Sequence, residues 1–137
     1  MSSEFTFYDY IDADGGGTNI ISNWLNSSGK DAKAFFTMVI GQLEASPPPG
    51  FSDSVWGSPY TKPMKGKWDG FIELRKKAKG VQYRILGQMD GRNVFLVAYG
   101  IHKKPYYETD VSPQIALQRV NQMKNNPSKY RREHEYN

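Results

Sequence analysis

Between Phe71 and His102 the chain falls into three apolar-rich runs of strand length, FIELRKK (71–77), VQYRILGQM (81–89) and NVFLVAYGIH (93–102), separated only by short turn-forming stretches. Segments this short satisfy their backbone groups by pairing with one another, so an antiparallel meander is the natural outcome. Asp90-Gly91 between apolar runs is a strong hairpin signal. Read as a two-residue turn, it sets Met89 opposite Arg92, Ile85 opposite Leu96 and Arg84 opposite Val97. A four-residue loop from Ala78 to Val81 sets Leu74 opposite Ile85 and Arg75 opposite Arg84. Ile72, Leu74, Tyr83, Ile85, Val94, Leu96 and Ala98 then share one side, ready for helices to cover. The other side receives Glu73, Arg75, Gln82, Arg84, Leu86, Phe95, Val97, Tyr99 and Lys103, with Lys77 continuing the same alternation.

Upstream, FTFYDYI (5–11) alternates and reads as a first strand, broken by DADGGG. Thr18 is placed to cap a short helix carrying Ile20, Ile21, Trp24 and Leu25. Ser28 and Asp31 have capping-box spacing ahead of a second helix, whose stripe of Ala32, Phe35, Phe36, Val39, Ile40 and Leu43 must face a core. Pro47, Pro48 and Pro49 stop that helix and begin a long linker, pinned by Phe51, Trp56 and Tyr60. Ser112-Pro113 starts a last helix with Ala116, Leu117, Val120 and Met123 inward, ended by Asn126-Pro127. One domain over 1–127 and a polar tail over 128–137 are expected.

Absence of cysteine from the 137 residues excludes disulfides, thiolate zinc sites and thiol nucleophiles. No apolar run approaches the ~20 residues of a membrane span, and the start lacks a basic stretch followed by an apolar one, so a cytoplasmic protein is expected, with no membrane partner. DADGGGTN fails as a calcium loop, because Gly16 occupies a ligand position and Asn23 the place of the closing Glu. His102 and His134 lie too far apart to suggest a metal site; no metal and no cofactor are expected.

The net charge of +4 is unevenly spread. Residues 1–58 hold two lysines against seven acids, whereas 59–137 hold 16 cations against seven acids. A positive field concentrated in one part of a small domain favours polyanions. Two arginines directly opposite on neighbouring strands repel each other, by about 3 kcal/mol at an effective dielectric near 20. Glu73, two residues from Arg75, offers an internal counter-charge; a phosphate, gripped by guanidinium forks, offers an external one. Phe95, Val97 and Tyr99 on the same side are expected to line a groove for a base or a partner.

The stretch FIELRKKAKGVQYRILGQMDGRNVFLVAYGIHKK, with the following helix and its Ile115, Ala116 and Arg119, resembles the RelE/HigB toxin superfamily, nearest its phage-derived HigB-like branch. The shared pattern is a Leu-Arg strand, a Gly-x-Tyr-Arg-Ile-Leu strand, an apolar strand ending in His-Lys-Lys, and a last helix. The resemblance implies an α+β domain: a twisted, mainly antiparallel four-stranded sheet, two N-terminal helices packed on one face, and a C-terminal helix. It implies a type II toxin, an endoribonuclease that cleaves mRNA on the ribosome, and a helix-turn-helix antitoxin as partner. By position it carries catalytic roles to Arg75, Arg84, Lys103 and Lys104, and more loosely RNA contacts to Lys65 and Lys67. The long acidic first segment and Pro105-Tyr106-Tyr107-Glu108 depart from the family pattern.

The chemistry this implies is in-line attack of a ribose 2′-hydroxyl on phosphorus, with the arginines facing the developing charge. Lys103, Lys104 or His102 would move protons, and Lys77, Gln82, Tyr99, Tyr106 and Tyr107 would contact RNA. Regular alternation puts His102 on the core side with Ala98 unless a bulge near Gly100 intervenes. A non-catalytic RNA-binding sheet and an inactive relic that only binds its antitoxin are the rival readings.

Overall fold

The computed structural model describes residues 4–103 and 106–135. In chain order it contains β1 (Thr6–Asp12), β2 (Thr18–Asn19), α1 (Ile20–Ser27), α2 (Lys30–Ala45), β3 (Thr61–Pro63), β4 (Ile72–Ala78), β5 (Val81–Asp90), β6 (Asn93–Lys103), β7 (Tyr106–Thr109), α3 (Pro113–Asn125), α4 (Pro127–Tyr130) and β8 (Arg131–Glu133). The expected four-stranded, mainly antiparallel RelE-like sheet is overturned: the strands form one eight-stranded mixed sheet with four helices. Its main order is β2-β1-β6-β5-β4-β3, with β7 paired to β6 and β8 to β1. The sheet is mixed because β1 runs parallel to β6, Phe7 beside Val94 and Asp9 beside Leu96. β6 is longer than this contact, so β7 folds back along the rest of the same edge, from Gly100 to Lys103.

Helix starts differ in detail from the capping signals. Asn19, not Thr18, caps α1 by accepting from the Ser22 amide at 3.0 Å. Gly29 (φ 96°) begins α2 without a side-chain cap, so the Ser28–Asp31 box does not form. α3 starts as its sequence suggests, with Ser112 accepting from the Ile115 amide and Pro113 in the first turn.

The two faces of the sheet carry separate cores. Ile21, Leu25, Phe36, Val39, Ile40 and Leu43 of α1 and α2 pack on Phe7, Leu74, Ile85, Val94 and Leu96. On the opposite face Ala116, Val120 and Met123 of α3 cover Leu86, Phe95, Val97 and Ala98. Phe95 and Val97 are therefore buried beneath a helix and line no open groove. No helix among the described residues is long and apolar enough to cross a membrane.

A β-bulge divides β6. Gly87 faces Leu96, but Leu86 faces Ala98, leaving Val97 as the extra residue. On the other edge of β6, between the end of the β1 pairing at Leu96 and the start of the β7 pairing at Gly100, one ion pair meets the backbone. Arg119 of α3 donates to the Val97 carbonyl at 2.7 Å and to Asp110 at 2.9 Å, while Asp110 accepts from the Tyr99 amide at 3.0 Å.

The polar run after Pro127 lies on the sheet. β8 pairs with β1, and the His134 amide donates to the Phe7 carbonyl at 2.8 Å. The His134 imidazole donates from Nδ1 to the fully buried Asp9 carboxylate at 2.8 Å, and Asn19 and Ser22 also donate to that carboxylate. Nearby, burial raises the Glu44 carboxyl to about 7, opposed by His134 and reinforced by Glu133.

Two stability predictions follow from these networks. Arg119→Ala strands the Val97 carbonyl and the Asp110 carboxylate, and should cost about 2–3 kcal/mol in urea denaturation; a loss under 0.5 kcal/mol contradicts the role given to it. Glu44 binds its proton more tightly folded than unfolded, so its contribution to stability falls as pH rises from 4.5 to about 7. Glu44→Gln should therefore stabilise the protein by about 1 kcal/mol at pH 8, after allowance for partial solvent screening, and leave stability at pH 4 nearly unchanged. Thermal melts at the two pH values read that difference.

Candidate anion-binding cleft

The β4–β5 register sets Arg75 directly opposite Arg84 and Lys77 opposite Gln82, as the turn signals require. The hairpin closes on Lys79 and Gly80, both at positive φ. Alternation sends Glu73, Arg75, Gln82 and Arg84 to the α3 side of the sheet, past the end of the apolar core. The bulge then reverses the phase of β6. Gly100 comes opposite Arg84 and His102 opposite Gln82, so His102 joins the arginines. Tyr99 is turned to the other face, where it stacks on Trp24 with ring centroids 5.1 Å apart. Burial raises the Tyr99 phenol above its ordinary value, and Asp110 adds to the effect.

The result is an open cleft of about 330 Å³. Arg75, Gln82, Arg84 and His102 line it together with Lys62, Met64 and Lys65 from the β3 side. Lys62 belongs here because β3 pairs antiparallel with β4, setting Lys62 beside Glu73. Glu73 is 4% exposed and lies at the base. Its carboxylate accepts from Arg84 Nε at 2.5 Å and from Gln82 Nε2 at 3.4 Å, with Arg75 at 4.0 Å. Arg84 is thereby held down, its side chain 12% exposed, whereas the Arg75 side chain is 30% exposed. Against four lining lysines and arginines there is this one carboxylate. The cleft carries an excess of about three positive charges, which suits a phosphate or a run of phosphates.

Of the residues named from sequence, Arg75, Arg84, His102, Lys65 and Gln82 meet in the cleft. Lys77 lines an adjoining hollow that shares Arg75 and Gln82. Lys67 is exposed in the turn at Gly66–Trp68 and lines neither. Tyr99 and Lys103 were expected beside the arginines. The bulge puts Tyr99 on the opposite face, and alternation from His102 turns the exposed Lys103 away from it. Tyr106 and Tyr107 pair with Lys103 and His102 in β7. Lys104 lies outside the described residues. Lys62 and Met64 were missed because the nearly twenty residues from Pro47 read as a linker; the signal available was the alternation in TKP, which forms an edge strand.

No family model, curated protein or solved structure matches the chain, so its chemistry is argued from this geometry. Glu73→Gln removes the only carboxylate among the described residues that line the cleft and leaves Arg75 and Arg84 opposite each other without it. It should destabilise the fold by about 2–4 kcal/mol in low salt. Added inorganic phosphate should recover part of that loss, because an anion bound only by the folded state stabilises it. Equal losses with and without phosphate would argue against anion binding here.

Proposed function

We propose that this protein is an endoribonuclease of the toxin type, acting on mRNA at the ribosome, and that the cleft on the α3 side holds the scissile phosphate. The observation that carries the reading is the convergence of His102 from β6 with Arg75 and Arg84 and with lysines from the β3 side. β6 and β3 are three strand spacings apart, about 14 Å, so their long side chains reach inward from opposite walls. His102 takes the proton from the ribose 2′-hydroxyl as the O2′–P bond forms. The P–O5′ bond breaks, and the departing O5′ takes a proton from Lys65. Arg75 faces the charge growing on the non-bridging oxygens, while Arg84, fixed by Glu73, keeps the field in place. The products are a 2′,3′-cyclic phosphate and a 5′-hydroxyl.

The toxin setting, with a helix-turn-helix antitoxin as partner, is supported by the order of the sequence motifs rather than by the sheet. A second reading, RNA binding without cleavage, is favoured by the Glu73–Arg84 ion pair, which already neutralises one of the two arginines. Primer extension on mRNA in a translating extract separates the two. The expected result is cuts within codons that fall at least 100-fold in His102→Ala, with RNA binding kept, and that vanish in Arg75→Ala with weakened binding. Binding with no cuts by the unaltered protein establishes the binding module instead. Cuts that persist undiminished in His102→Ala remove His102 from the mechanism.

A further inference from the structure

Beside the cleft, β4 loses its neighbour. β3 pairs with β4 only from Ile72 to Leu74, so from Arg75 onward the outer edge of β4 carries no strand among the described residues. The chain before β3 turns away there, and the Tyr60 carbonyl accepts from the Arg75 amide at 3.3 Å. This leaves a hollow of about 470 Å³ at the sheet edge, lined by Tyr60 and Phe35 with Lys76, Lys77, Arg75 and Gln82. Its character differs from that of the cleft: among the described residues that line it there are aromatic rings and no acid. The rings of Phe35 and Tyr60 are tilted against each other at 6.2 Å, and the Lys76 ammonium covers the Phe35 ring at 4.8 Å. Tyr60 is only partly buried against the core.

We propose that this hollow is a nucleobase subsite, which takes the base of the nucleotide adjoining the phosphate held in the cleft by stacking it on Tyr60. The inference rests on the RNA reading of the cleft and extends it. Arg75 and Gln82 form a wall common to both hollows, so a strand whose phosphate meets Arg75 in the cleft must pass its next nucleoside over that wall. An aromatic ring flanked by cations matches a base with its attached phosphates, and stacking of this kind tolerates any base.

The test is fluorescence anisotropy with a labelled five-nucleotide RNA and its single-abasic variants. Wild type should lose about tenfold or more in affinity at one abasic position, the size of a single base-stacking contact. Tyr60→Leu should bind intact RNA weaker by a similar factor and show no further loss at that position. Tyr60→Phe, which keeps the ring, should retain the abasic penalty and so separates lost stacking from a damaged fold. Binding that weakens in Arg75→Ala yet shows the same abasic penalty in Tyr60→Leu as in wild type overturns the subsite and leaves the cleft reading intact. Failure of the unaltered protein to bind RNA in this assay or on ribosomes overturns both.

Discussion

The site depends on one extra residue in β6, the bulge at Val97. Beside it, the edge of β6 between the end of the β1 pairing at Leu96 and the start of the β7 pairing at Gly100 has no ladder strand, and its backbone groups need other partners. Arg119 and Asp110 supply the missing partners for Val97 and Tyr99, and the pair is itself largely shielded, with side chains 15% and 13% exposed. Every residue of β6 beyond Val97 inherits its orientation from the bulge. Without the bulge, His102 would point with Tyr83 and Ile85 toward α1 and α2, and the arginines would share their side with Tyr99.

The charge balance in the cleft follows a related logic. Two arginines set opposite each other by strand register repel when their guanidinium groups lie close. Glu73 reduces the repulsion by binding one tightly and leaving the other at 4.0 Å. The two arginines are thus unequal: Arg84 is structural ballast for the field, and Arg75 is the group open to a ligand. A single carboxylate beneath several cations also keeps the folded protein tolerable when no anion is bound, because the excess charge sits near solvent.

Much of the fold was legible where local rules act alone. The β4–β5 register follows from alternation and from a two-residue turn whose Lys79-Gly80 pair accepts positive φ. The next hairpin was read two residues out of register. Asp90-Gly91 suggested the turn, but Gly91 takes the first central position at φ 61°, so Arg92 is the second and Asp90 pairs with Asn93. An even shift preserves which side each residue faces, and the core residues Val94, Leu96 and Ile85 were placed correctly despite it. The bulge shifts by one; Gly100 left room for an irregularity in β6, but nothing in the sequence marks its place at Val97. The parallel pairing of β1 and the edge strand β3 were equally hidden, since both are decided by partners distant in sequence.

Asp9 shows what such distance entails. Its carboxylate is wholly enclosed, and the imidazole that answers it comes from 125 positions later in the chain. Loop closure over that span is entropically costly and no shorter segment can stand in for it. The first strand cannot reach its final environment until β6 lies alongside it and β8 has closed over its other edge. Asp9 is therefore enclosed only when segments from both ends of the described chain have joined the sheet, which ties the two into one structural unit.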